Sequence, residues 1–254
     1  MNTPITDLSL NLLSAGIGAT AAYTTQRARA AMREKALEKN IGGFFGNPRG
    51  KILVVHSSIF DESEHAFNYP ATDTRATRIL AKLFEQVHLR EGVDFFILPD
   101  REVEGDSALR ENHIVALCGP ARNECFRKFT PIPTSVRYGM EENPNGRGNV
   151  LTDRLRHTRL YSSRQEVSEL GAGSDSHFDY GLIASLPNHL NLSRRLILLA
   201  GVHGTGTVGA AQFVANLENL KLLHNRRTGD VFCEVVRVNY RDSDIETPTE
   251  VQIA

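Results

Sequence analysis

The sequence predicts an α/β fold: a mostly parallel sheet with helices on both faces, preceded by an N-terminal helix. Three observations predict it. Continuous apolar runs at Lys51–His56, Asp94–Leu98 and His113–Cys118 alternate with segments of helical periodicity, the pattern of strands buried on both faces and joined by crossover helices. Late in the chain an apolar strand at Leu196–Ala200 enters a glycine-rich turn, Gly204-Thr205-Gly206-Thr207-Val208-Gly209, with a helix expected from near Val208. Leu8 to Gln26 carry no charge, and Arg27, Arg29, Arg33 and Lys35 follow at once.

That uncharged segment has the layout of a membrane anchor whose C-terminal side is cytoplasmic. Ser9, Asn11, Ser14, Thr20, Thr24 and Thr25 dilute it, while Ala15, Gly16, Gly18, Ala19 and Ala22 permit close helix approach. Residues 1–41 are therefore read as a helix for membrane attachment, through residues 8–26, or for self-assembly into a homo-oligomer. The helix should continue through Arg27 to Lys39 and stop at Gly42-Gly43. Residues 42–254 read as one ligand-binding domain.

Within that domain, Ile79, Leu80, Leu83, Phe84 and Val87 predict a helix over Thr72 to Leu89 with Asp73 as a candidate cap. A short helix should follow Cys118-Gly119-Pro120, around Arg122 to Phe129, and Asn123 is placed to cap it. Thr130 to Gly148, rich in Pro, Gly and Asn, reads as an exposed connection. Short strands are expected at Arg159–Ser162 and Phe178–Ala184, and a long one at Asp230–Tyr240, with antiparallel pairing at one edge near Tyr161, Tyr180 and Val236.

Composition narrows the function. A net charge of −1 gives no global field for nucleic acid, and three cysteines without regular spacing imply a reducing compartment and no disulfide framework. No metal-binding spacing, no nucleophile-elbow serine and no Walker lysine is present. Structural zinc, serine hydrolysis and P-loop ATP hydrolysis are thereby disfavoured, and no metal is expected.

Candidate site residues follow from the rule that ligands bind outside the carboxyl ends of parallel strands. His56, Ser57 and Ser58 follow the first strand, and Gly119, Pro120 and Asn123 follow the third. His203, Gly204, Thr205, Gly206, Thr207 and Gly209 form the glycine-rich turn, whose backbone N–H groups suit a phosphate. Asp179 and Asp61 are the carboxylates available for catalysis, Asp179 ahead of Asp61, with Glu62 a further candidate. Each also has a structural reading: a strand-closing serine, a capping asparagine, glycines that let a helix approach a strand. The acidic residue expected at the end of the strand after a dinucleotide fingerprint is not clean, because Glu234 sits mid-strand, so an ordinary nicotinamide dehydrogenase is disfavoured.

Three motifs, Cys118-Gly119-Pro120-Ala121-Arg122-Asn123, Asp179-Tyr180-Gly181-Leu182-Ile183 with Leu186-Pro187-Asn188, and Leu199 to Thr207, resemble a widespread, poorly characterised prokaryotic Rossmann-like domain. In that pattern a strand ends in G-G-P-x-x-N, D-Y-G-L-I precedes a P-N turn, and a last strand ends in A-G-x-H/R-x-x-G-T. Cys118 stands where the pattern has glycine. The resemblance spans roughly residues 44 to 240 and implies a Rossmann-like fold and the location of a site. A looser, fold-level likeness is to nucleotide-sensing modules of bacterial defence and signalling.

The leading expectation is a cytoplasmic sensor or effector of a nucleotide or NAD-derived ligand, with the helix attaching it to the inner membrane or driving assembly. The alternatives are an N-glycosidase or nucleotide hydrolase acting at the same cleft, and a self-assembling structural protein without a ligand. Whether the chain is an enzyme stays open at this point.

Overall fold

The computed structural model describes residues 23–28, 31–32, 34–46, 50–63, 65–103, 105–143, 148–165, 177–226, 230–241 and 244–250. Residues 8–22 of the candidate membrane segment lie outside them. The chain divides into two compact units, Met1–Lys39 and Asn40–Ala254. The described residues of the first unit are helical. Among the described residues, no helix is long and apolar enough to cross a membrane.

In the second unit, helix persists from residue 40 to 45, through Gly42-Gly43, and ends at Gly46 with φ +105°. The expected stop is displaced because Ile41, Phe44 and Phe45 bury their side chains, at most 2% exposed. Packing of that kind outweighs the roughly 1 kcal/mol helix penalty of each glycine. Phe45 meets Phe84 edge-on at 5.1 Å, and Phe84 in turn meets Phe95.

The main sheet contains β1 (Ile52–His56), β4 (Phe95–Pro99), β5 (His113–Leu117), β9 (His177–Asn188), β10 (Asn191–Gly201), β11 (Phe232–Arg241), β12 (Asp244–Ile245) and β13 (Thr249–Glu250). Their order is β12-β11-β9-β10-β5-β1-β4, with β13 also on β11. β4, β1, β5 and β10 are parallel neighbours, whereas β9 runs antiparallel to both β10 and β11. The antiparallel pairing expected near Tyr180 and Val236 is present, in the β9–β11 pair towards one end of the sheet. The segment near Tyr161 belongs elsewhere: β6 (Tyr138–Glu142), β7 (Asn149–Asp153) and β8 (Thr158–Leu160) form a separate three-stranded sheet.

The parallel strands are apolar on both faces because both faces are covered. Leu53, Val55, Ile114, Ala116, Leu196 and Leu198 join one core with Leu109, Phe126, Ile132, Val136, Tyr138, Met140 and Leu151. That core corrects the expectation of an exposed connection over 130–148, since Ile132, Val136, Tyr138 and Met140 are at most 4% exposed. Arg137 clamps Asp153 through Nε at 3.1 and 3.2 Å and Nη2 at 2.7 Å, fixing β6 against β7. Asp153 is held below the usual carboxylate range chiefly by those bonds.

The opposite set of side chains, including Ile52, Val54, Val115 and Ile197, points to the other face by strand alternation. There α1 (Ala71–Glu85) and α4 (Gly204–Ala215) pack side by side, α4 lying along β9, β10 and β11. α1 buries Ala76, Leu80, Leu83 and Phe84, one helical stripe. α2 (Gly105–Glu111) and α3 (Glu124–Lys128) contribute Leu109 and Phe126 to the first core, and α5 (Leu217–Arg226) follows α4. A hairpin of β2 (Ile59–Asp61) and β3 (Ala66–Asn68) intervenes between β1 and α1. Neither the hairpin nor α5 is anticipated from the sequence pattern.

Candidate ligand-binding site

β1 and β5 are neighbours, and the chain leaves β1 for β4 on one side and β5 for β9 and β10 on the other. Connections that diverge in this way leave a crevice beyond the carboxyl ends of the strands. A cavity of about 550 Å³ lies there. One wall is the start of α1 (Pro70–Asp73, Arg75), another the start of α4 (Val202–Thr205), and Cys118, Ala121, Arg122, Asn149 and Arg164 complete much of the lining. A side chain on Gly204 would strike Thr72, so the two helix starts are in contact.

Both helices open without a side-chain cap, their N-caps being Pro70 and His203. The N–H groups of Ala71, Thr72, Gly204 and Thr205 have no partner among the described residues. Helix starts of this kind carry unsatisfied donors and the positive end of the dipole. Arg122 and Arg164 add two guanidinium groups that form no ion pair among the described residues, Arg164 instead lying 5.9 Å over the Tyr240 ring. Free backbone donors, two helix dipoles and two guanidinium groups thus line one cavity.

Its carboxylate is Asp73. Ser57 donates to Oδ2 from its N–H at 3.2 Å and its hydroxyl at 2.5 Å. Burial raises the Asp73 pKa, opposed by the Ser57 bonds and by the charges of His56 and Arg122. Burial and the nearby Asp73 charge push the Cys118 thiol up to about 12, so it stays a thiol at neutral pH. His203 is held below its ordinary value by burial and by the Arg164 and Arg122 charges, and its Nε2 is buried without a hydrogen-bond partner among the described residues.

Of the sequence-predicted residues, His203, Gly204 and Thr205 line the cavity. The others build the framework behind it. α4 begins at Gly204 rather than near Val208, so Gly206 and Gly209 are helical and face protein. A side chain on Gly206 would enter the Tyr180 carbonyl, and one on Gly209 would enter Val238. Thr207 Oγ1 accepts the Gly201 N–H at 2.9 Å. Asn123 caps α3 through Phe126 N–H at 2.9 Å and donates to the carbonyls of Val55 and Leu117, tying β1 to β5. Gly119, buried beside Pro120, leaves room for the Asn149 amide, whose Nδ2 donates to Gly201 O at 2.9 Å and whose Oδ1 accepts from Ala121 N–H at 3.0 Å. Ser58 donates to Asp100, and the His56 ring packs edge-on against Tyr69.

The two carboxylates chosen from the sequence lie outside the cavity lining. Asp179 is 1% exposed and accepts N–H bonds from Tyr180, His203 and Gly206, the last at 2.6 Å. It occupies donors at the start of α4 that the glycine motif was expected to offer a phosphate. Burial pushes its pKa up to about 7 against those bonds. Asp61 sits on the β2–β3 hairpin, bonded to Ser63 and Asn68. Leu186-Pro187-Asn188 lies at the opposite end of the sheet, because β9 is antiparallel: Pro187 pairs with Arg195 at the start of β10.

Sequence reasoning missed Asp73 as a lining residue, together with Thr72, Arg75, Asn149 and Arg164. The β2–β3 insertion hides that α1 is the crossover helix of β1, whose start must face the same crevice as the start of α4. Among the described residues no group of three or more His, Cys, Asp or Glu side chains is arranged to hold a metal ion. The chain matches no protein-family model, no curated protein and no solved structure.

Proposed function

We propose that the second unit is a Rossmann-like domain that binds a nucleotide or NAD-derived ligand through its phosphate groups, acting as a sensor or effector. The observation that carries this reading is the convergence of two uncapped helix starts and the arginines Arg122 and Arg164 on one cavity of about 550 Å³. That volume falls in the range of small-molecule sites. Backbone donors, dipoles and guanidinium groups together suit a diphosphate better than a carboxylate, because they offer donors from several directions at once.

Titration calorimetry with pyrophosphate, NAD and ADP-ribose tests the reading. Arg122→Ala and Arg164→Ala should each weaken binding about tenfold or more, the scale of a hydrogen bond to a charged group. Absence of binding by all three ligands, or affinities untouched by both substitutions, refutes it. A hydrolase or N-glycosidase reading draws support from one observation, the buried carboxylate Asp73 in the cavity wall with its pKa raised. Following NAD consumption during the same titrations separates turnover from binding.

A further inference from the structure

We propose that the ligand of this cavity is a phosphorylated ribose, one of whose ring hydroxyls donates to Oδ1 of Asp73. The inference rests on the anion-binding reading above and goes on to name the sugar. Asp73 is 1% exposed, yet both Ser57 donors reach the same oxygen, Oδ2. Oδ1 accepts no hydrogen bond from the described residues, and the side chain belongs to the cavity wall. A carboxylate oxygen that belongs to a cavity wall and takes no protein donor is an acceptor that a ligand donor can use.

The chemistry of that donor follows from its surroundings. Arg122 and Arg164 line the same cavity, so a ligand ammonium would meet repulsion from two guanidinium groups. Among the described residues no group of three or more His, Cys, Asp or Glu side chains gathers around Asp73, so a metal held by protein side chains alone has too few ligands there. A hydroxyl donates without carrying charge and leaves an anion at the arginines undisturbed. Because Gly204 abuts Thr72, the wall bearing Asp73 and the N–H groups at the start of α4 are neighbours. One small molecule that carries a phosphate and a nearby hydroxyl meets both, and in a nucleotide that part is the ribose.

The test uses the full chain and three probes that lack a base: ribose 5-phosphate, 2-deoxyribose 5-phosphate and methyl phosphate. Ribose 5-phosphate should bind at least about tenfold more tightly than methyl phosphate, as expected for a hydrogen bond to a charged acceptor. Loss of that advantage in 2-deoxyribose 5-phosphate assigns the 2-hydroxyl, and its retention assigns the 1- or 3-hydroxyl. Asp73→Asn should shrink the sugar's advantage to within about twofold while methyl phosphate binds as well or better, one negative charge having been removed. Equal affinity of the wild-type chain for all three probes overturns the hydroxyl assignment and leaves the anion site standing. So does a sugar advantage that persists in Asp73→Asn. Failure of every probe, methyl phosphate included, overturns both readings. The wild-type series needs no variant, so it decides the matter even if Asp73→Asn folds poorly.

Discussion

Gly206→Ala should destabilise the domain by about 2–4 kcal/mol, although alanine is the better helix former. In a free helix the change would gain about 1 kcal/mol. Here the new Cβ would enter the Tyr180 carbonyl of β9 and lie 2.9 Å from Gly201 Cα of β10. Both are backbone atoms of central strands and have no rotamer through which to move aside. Overpacking of this kind costs roughly 1–3 kcal/mol. Relief by lifting the start of α4 would break the 2.6 Å bond from Gly206 N–H to Asp179, a charge-assisted hydrogen bond worth about 1.5–3 kcal/mol. The two penalties overlap, and the propensity gain offsets part of their sum, which leaves the range given. Urea unfolding of the wild type, Gly206→Ala and the neighbouring control Thr205→Ala reads it directly, with an unchanged m-value showing that the denatured state is comparable. A Gly206→Ala protein as stable as wild type to within about 0.5 kcal/mol, below the scale of these terms, would mean that this glycine does not hold the helix to the sheet. Its place as a phosphate contact would then reopen.

Two further outcomes are expected. Cys118 has φ +66°, so Cys118→Gly should change stability by less than about 1 kcal/mol as relieved strain balances lost packing, whereas Cys118→Val should cost about 2 kcal/mol or more; thermal melts that rank the two equally would refute the strain. Dimethyl phosphate, whose charge is constant over the range and which carries no hydroxyl for Asp73, should bind more tightly as pH falls from 8 towards 5. As pH falls, Asp73, raised above its ordinary 3.8, moves towards its uncharged form sooner than an ordinary carboxylate and repels the anion less, while His203, lowered below its ordinary 6.5, gains positive charge only at the acidic end. Both changes favour an anion, and an affinity that falls on acidification contradicts the assignment of these two side chains to the ligand wall.

The legible parts of the fold are those in which local pattern and tertiary need coincide. β1 and β5 read correctly because both faces are covered, so every residue of Ile52–Val55 and Ile114–Leu117 is apolar and at most 3% exposed. The small sheet was illegible for the opposite reason. Its strands are three to five residues long, too short for a period to emerge, and its core residues are scattered among prolines and glycines that read locally as loop. The sequence places β9 and its antiparallel pairing near Tyr180 and Val236, but not that β9 also runs antiparallel to β10, since alternation says which residues face a core and nothing of which way the strand runs. That single unknown moved Leu186-Pro187-Asn188 to the far end of the sheet and brought Asp179 beside the start of α4.

The same distinction explains the site. Residues chosen for chemistry because they are glycine, asparagine or aspartate near strand ends are the types that also make sharp βα junctions, and a sequence cannot separate the two uses. The motifs meet in one framework: Gly201 pairs with Gly181, Asp179 takes N–H groups from His203 and Gly206, and the Asn149 amide fills the space left by Gly119 and reaches the Gly201 carbonyl. A junction this crowded has few donors to spare, and those at Gly206 and Thr207 are already engaged within the protein. The donors that face the cavity belong to the first turn of α1, which carries no motif, and to the first two residues of the glycine motif in α4, and the charges come from arginines on three separate segments, of which only Arg122 lies in a motif. Framework residues are tied to fixed backbone partners and so recur as recognisable strings. The wall facing a ligand needs only the right charge at the right place, and its sequence carries correspondingly less of a signature.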